Sequence, residues 1–317
     1  MHSTQKIALI GTGFVGMSYA YSLLNQGYGN ELVLIDVNRD KAEGEAMDLN
    51  HGLPFAPSKL QIYAGNFKDC SDADLVVITA GAAQKPGQSR LDLLRVNAKI
   101  MQSITRDVIA SGFDGIFLVA TNPVDVLTQV VLQESSWERQ RVIGSGCTLD
   151  SARLRYEIGK RLNVDSRDIY GFVLGEHGDS EFVAWSRVTV GGKPLADVIE
   201  ETPLLEWKDL DQIYRNVRDA AQDIISRKQA TYYAIGMALV RTSKAILDDE
   251  NAILPVSSLV VDEYPEAAGV CIGLPTQVSG KGVDHIIKIK LSSEELEKLS
   301  ASADILRESL SAIGIKA

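Results

Sequence analysis

Short unbroken apolar runs punctuate the first half of the chain at residues 7–10, 32–35, 75–79 and 116–120, with weaker ones at 61–63 and 141–143. Runs of this length without alternation predict strands buried on both faces, as in a parallel sheet. Between them, residues 16–26, 39–51 and 91–111 repeat apolar positions at helical spacing. Strands alternating with helices imply βαβ units. Right-handed crossovers then wind six strands into an α/β, Rossmann-type doubly wound sheet, ending near residue 145.

The pattern changes beyond that point. Residues 150–162 predict a helix, and 168–175 and 181–191 predict strands or turns. An amphipathic stretch at 207–226 runs into 229–247, which is apolar enough to be buried. Residues 256–260, 270–274 and 283–290 alternate like antiparallel strands, and 293–313 follows a capping-box-like Ser-Ser-Glu-Glu entry to a last helix. The expected organisation is a Rossmann domain over 1–145 and a separate α+β substrate domain over 146–317, with the helix near 233–247 packing back on the first.

Composition narrows the function. Of 317 residues, 45% are hydrophobic and 23% charged, enough for a sizeable core. A net charge of −10 repels phosphate backbones, so no nucleic-acid partner is expected. No apolar run nears the roughly 20 residues of a membrane span, and the stretch before Ile7 is too short for a signal core. Cys70, Cys147 and Cys271 are odd in number, which suits a reducing, cytoplasmic setting. No His, Cys and carboxylate cluster has ligand spacing, so no metal is expected.

Gly11-Thr12-Gly13-Phe14-Val15-Gly16 follows the first apolar run and opens the first helix. Glycines at Gly11, Gly13 and Gly16 permit the tight turn and the close approach of backbone to a pyrophosphate at a helix N-terminus. Asp36 closes the second run twenty residues beyond Gly16, where a carboxylate holds a ribose 2′-hydroxyl. Its charge favours NAD over NADP, although Arg39 stands close enough to serve a 2′-phosphate. The bland alternative for Asp36 is a solvated strand end.

Three further segments carry chemistry. Gly175-Glu176-His177-Gly178-Asp179 sets a histidine among carboxylates. Asp150 and Arg153 share a helix face, and Thr121-Asn122-Pro123-Val124-Asp125 follows a strand at the sheet's carboxyl edge. With the loop 82–90, these motifs resemble the L-lactate/malate dehydrogenase family, in order and spacing over essentially the whole chain.

The resemblance implies reversible, NADH-dependent reduction of pyruvate to L-lactate. His177 would be the proton donor and acceptor, since imidazole alone titrates near neutrality without heavy tuning. Asp150 would orient the ring and raise its pKa, so reduction would fade with rising pH while oxidation gained. Arg153 would clamp the substrate carboxylate. Arg90 would polarise the carbonyl from a closing loop, with Pro86 and Gly87 suiting its bend. Asn122, Asp125 and Thr231 complete the implied substrate set. Gly81, Ala82, Val15, Lys41, Ser103, Ala120, Thr121 and Asn122 complete the implied cofactor set. His2, His51 and His285 read as structural.

Gln84 stands where malate dehydrogenases of the family carry arginine. A neutral amide leaves a second substrate carboxylate unpaired, a burial costing several kcal/mol, or about a thousandfold against oxaloacetate. Larger 2-keto acids, as used by hydroxyisocaproate dehydrogenases, remain open. A catalytically silent NAD-binding protein is the rival from another class. The family's homotetramers often respond to fructose 1,6-bisphosphate through an arginine and a histidine. Here Arg155 is present but Tyr170 replaces the histidine, so activation should be weak or absent. Cys147 replaces a usual threonine three residues from Asp150; it is either a small buried residue or a thiol whose oxidation disturbs the site.

Overall fold

A computed structural model describes residues 5–83 and 87–317. The first half runs β1 (Lys6–Ile10), α1 (Phe14–Gln26), β2 (Glu31–Ile35), α2 (Arg39–Gly52), β3 (Gln61–Ala64), β4 (Leu75–Ile78), α3 (Arg90–Ala110), β5 (Ile116–Val119), α4 (Val124–Ser135) and β6 (Val142–Gly144). These six strands lie parallel in the order β3-β2-β1-β4-β5-β6. Along one strand, successive side chains enter opposite cores. Ala8 and Ile10 join Val33, Val76 and Phe117 on one face, while Ile7 and Leu9 join Leu32, Leu34 and Leu118 on the other. That two-sided burial explains the unbroken runs, each fully buried Leu, Ile or Val contributing about 2 kcal/mol.

The chain continues through α5 (Thr148–Leu162), β7 (Ile169–Tyr170), β8 (Val173–Leu174), β9 (Phe182–Val183), β10 (Thr189–Val190), β11 (Lys193–Pro194), α6 (Leu195–Glu201), α7 (Leu210–Lys228) and α8 (Tyr233–Leu247). It ends with β12 (Ala252–Leu254), β13 (Ser257–Leu259), β14 (Cys271–Gly273), β15 (Thr276–Ser279), β16 (Gly282–Ile286) and α9 (Ser293–Ala312). The cap of α9 closes as the sequence suggests: Ser292 Oγ accepts the Glu295 amide and Glu295 reaches back to the Ser292 amide.

The second half is only partly a separate set of layers. Strands β7, β10 and β11 form one sheet of their own, β12, β15 and β16 another, and β8 and β9 a third, but two strands do not. β13 pairs antiparallel with β6, and β14 with β13, extending the first sheet to eight strands. Small residues allow this seam, since a Cβ on Gly146 would lie 2.4 Å from the Ser257 amide nitrogen. Helix α8 packs along α1, with Tyr19 Oη and Ser243 Oγ 2.8 Å apart in the buried contact. Helix α4 went unread as a helix because it has no polar face to mark its period. It is buried almost throughout, against α3, β13, β14 and α9.

Candidate active site

Gly11 lies at the end of β1 with φ +103°, and a Cβ there would sit 2.6 Å from the Ala80 nitrogen. A Cβ on Gly16 would strike the Gly11 carbonyl. Gly13, the N-cap of α1, faces open space and brings no capping side chain, so the first amides of the helix remain available. Beside them, Asp36 accepts the Thr12 amide at 2.8 Å, the Thr12 hydroxyl at 2.9 Å and the Asn38 amide at 2.9 Å. Burial opposes its charge, but these bonds and nearby Lys41 outweigh it and hold the carboxyl below its usual range. An open glycine cradle with an ionised carboxylate fits a dinucleotide with a free ribose 2′-hydroxyl. Arg39 is bound to Glu43 at 2.8 Å instead.

Gly81, Ala82, Ala120 and Thr121, also expected around the cofactor, lie along the same carboxyl edge. The Ala82 amide donates to Asn97 Oδ1 at 2.8 Å, and a Cβ on Gly81 would press on Thr121. Thr121 Oγ1 in turn donates to the Ala80 carbonyl, next to Ala120. Val15 is half-buried on α1, while Ser103 is exposed on α3. Asn97, buried on α3, was missed by sequence reasoning, since nothing local marks it as the tie for this loop. Gln84 and Pro86 lie outside the described residues.

Across the cleft, His177 Nδ1 stands 2.6 Å from Asp150 Oδ2, and Arg153 Nη1 stands 2.9 Å from Asp150 Oδ1. Asp150 is 1% exposed, so its charge acts with little screening. Burial alone would lower the His177 pKa. The charge and bond of Asp150, with Asp125 adding, reverse this and raise it to about 9. The loop bearing His177 is fastened from several sides. Gly175 exchanges two 3.0 Å backbone bonds with Gly273 of β14, and the Glu176 amide donates to Ser302 Oγ of α9 at 2.7 Å. Ser180 joins Glu176 to Ser302 as well.

Asp125 departs from the expected substrate role. It is 2% exposed and accepts the His177 amide at 2.8 Å, because the first turn of α4 points it beneath the loop rather than into the cleft. Arg90 is the first residue of α3, at the rim, 3.4 Å from Asp179. Arg90, Asn122, His177 and Asp179, with Ile305 and Glu308 of α9, wall a cleft of about 750 Å³. Thr231 does not line that cleft. It sits in the α7–α8 connection, next to Tyr232, which stacks on Phe14 of the glycine-rich turn at 5.2 Å. A larger hollow of about 990 Å³ opens beside Asp74, Ile116 and Asp284, at the amino edge of the sheet. It gathers none of these paired groups, and doubly wound sheets bind at the opposite edge.

Cys147 resolves to the bland alternative. Its thiol is fully buried, points at the Gly175 carbonyl at 3.4 Å, and is pushed well above its usual pKa by burial and nearby carboxylates. A carboxylate oxygen of Asp150, one of Glu181 and a His177 nitrogen come within 4.8 Å of one another. The Arg153 cation and the imidazole already engage Asp150 there. Among the described residues, no helix is long and apolar enough to cross a membrane.

Comparison with known proteins shows the family. Residues 5–144 match the family described as lactate/malate dehydrogenase, NAD binding domain, and residues 147–314 match its alpha/beta C-terminal domain. L-lactate dehydrogenase 2 of Bacillus anthracis is 50% identical over 97% of this chain and 98% of its own. L-lactate dehydrogenase 1 of Bacillus cereus (strain ATCC 10987 / NRS 248) is 51% identical over the same shares. A lactate dehydrogenase from a Medee basin deep-sea metagenome library superposes with a TM-score of 0.97 at 55% identity, covering 98% of this chain and 99% of that one. The minor L-lactate dehydrogenase of Enterococcus mundtii, in its ligands-bound form, gives 0.96 at 48% identity, covering 98% of each chain.

Proposed function

This chain belongs to the lactate/malate dehydrogenase family, and from that premise we propose that it is an NAD-dependent L-lactate dehydrogenase that interconverts pyruvate and L-lactate. The observation that carries this reading is the Asp150–His177 bond beside a cleft that also presents Asn122 and Arg90. NADH, when bound, supplies the hydride. Gly11, Gly13, Val15, Gly16, Asp36, Lys41, Gly81, Ala82, Ser103, Ala120, Thr121 and Asn122 are the residues that would hold it.

With Nδ1 committed to Asp150, the Nε2 of His177 is free to give its proton to the carbonyl oxygen and to reclaim it from lactate. Arg153 grips the substrate carboxylate, its own position set by Asp150. Asn122 donates to the substrate oxygen. Arg90, still at the rim, closes over the carbonyl and stabilises the charge that develops there.

The α-carboxylate and carbonyl are common to all 2-keto acids, so a neutral Gln84 sets the preference for pyruvate over oxaloacetate. The test is NADH oxidation with pyruvate, oxaloacetate and 2-ketoisocaproate over concentration series. Pyruvate should give the highest kcat/KM, with oxaloacetate about a thousandfold lower, as an unpaired buried carboxylate requires. A higher value for 2-ketoisocaproate would replace lactate dehydrogenase with a branched-chain 2-hydroxy acid dehydrogenase.

The enzyme assembles as a homotetramer in a reducing cytoplasm. Supporting this are exposed Tyr21, Met47, Phe55, Tyr233 and Met237 on neighbouring surface elements, and three unpaired, buried cysteines. Sedimentation equilibrium reads the copy number directly. Activation by fructose 1,6-bisphosphate should be weak or absent. Arg155 spends its guanidinium on the Ser166 and Arg167 carbonyls, and Tyr170 packs edge-on against Phe172 at 4.9 Å. Adding the bisphosphate should leave the pyruvate KM unchanged, and a several-fold fall would contradict this.

A further inference from the structure

The turn that carries His177 ends in an acidic residue, Glu181, that the mechanism above does not use. Its side chain is 3% exposed, and it shares the water-excluded pocket of Asp150, with their oxygens and a His177 nitrogen within 4.8 Å of one another. Two neighbouring carboxylates in such a pocket cannot both stay ionised; the one with cationic partners keeps its charge. Here the partners are divided unevenly. Asp150 holds Arg153 at 2.9 Å and His177 at 2.6 Å. Among the described residues, no cation is bonded to Glu181 and its Oε1 lacks a hydrogen-bond partner.

The remaining titratable groups around the pocket do not relieve it. Asp125 of α4 gives one oxygen to the His177 amide and adds negative charge from below. Glu176, on the same loop, is bound by Ser180. Tyr214 of α7 donates to the Glu181 main-chain carbonyl at 2.6 Å, not to its carboxyl.

We infer that Glu181 is a positioning residue for the proton transfer: a neutral carboxylic acid that lends its O–H to Asp150, leaving one of this carboxyl pair ionised to face the imidazole. Burial, with the Asp150 charge adding, pushes the Glu181 carboxyl up to about 9, in keeping with that geometry. The consequence is twofold. Asp150 gains a third donor that fixes its plane beneath His177. The imidazolium also avoids a second adjacent anion, which would hold its proton too tightly for delivery to the substrate. The inference rests on His177 as the proton carrier and not on which 2-keto acid is used.

Three measurements on the intact protein test it. The infrared spectrum at neutral pH should contain the carbonyl stretch of a protonated carboxylic acid, and Glu181→Gln should remove that band. The His177 titration, followed by NMR without substrate, should keep its midpoint in Glu181→Gln, which retains a neutral donor. Glu181→Leu, which removes the donor, should lower kcat about tenfold, the loss of a hydrogen bond to a charged group, and Glu181→Gln should recover it. Absence of the band would overturn the inference. So would a fall of about one unit or more in the His177 midpoint of Glu181→Gln, the mark of a lost anion. A Glu181→Leu enzyme as fast as the parent would overturn it too. The spectroscopic arms need no substrate, so their failure is distinct from an error in the assigned activity.

Discussion

Replacing His177 with alanine should lower kcat/KM for pyruvate by about a thousandfold or more, the scale of a lost general acid. Binding of NADH, followed by its fluorescence, should be retained. The fold survives the change because the loop is fastened by main-chain contacts rather than by the ring. Gly175 remains paired with Gly273, and the residue 177 amide remains bound to Asp125. Asp150 keeps Arg153 at 2.9 Å, so its buried charge is not left without a partner. A silent nucleotide-binding protein on the same fold would show no turnover to lose. His177→Ala with near-parental turnover would remove His177 from the chemistry altogether.

The second large effect comes from pH. Reduction consumes the imidazolium and oxidation needs the neutral ring, so the two directions depend on His177 with opposite sign. Its pKa is raised to about 9, since the charge and bond of Asp150 outweigh the penalty of burial. The protonated form therefore dominates at neutral pH. Above the midpoint, kcat/KM for pyruvate should fall about tenfold per pH unit, because it follows the free enzyme's imidazolium. Oxidation of L-lactate should rise as pH climbs toward the same midpoint and level off above it.

Much of this site was legible in the sequence because its motifs are local. The glycines of 11–16, the strand-end Asp36 and the pair Asp150 and Arg153 each sit within one turn or at a fixed offset from an apolar run. Their positions follow once strands and helices are placed. What was not legible depends on distant pairings. Asp125 meets the His177 amide across 52 residues and Glu176 meets Ser302 across 126, so no periodicity could show that an apparent substrate ligand braces the loop instead. Glu181 opens a stretch that reads only as strand or turn, and nothing local shows that the fold buries it beside Asp150. The antiparallel extension of the sheet was hidden likewise. Residues 256–260 and 270–274 read correctly as strands, but strand character does not name the neighbour: β13 lies on β6, where Gly146 permits the close approach, and β14 lies on β13.

The most direct test of the account is kcat/KM for pyruvate reduction and for L-lactate oxidation, measured on one preparation across neutral to alkaline pH. The account predicts opposite limbs that share a midpoint of about 9, both absent from any residual activity of His177→Ala. Profiles that run in the same direction, or that persist in His177→Ala, would contradict proton transfer through His177.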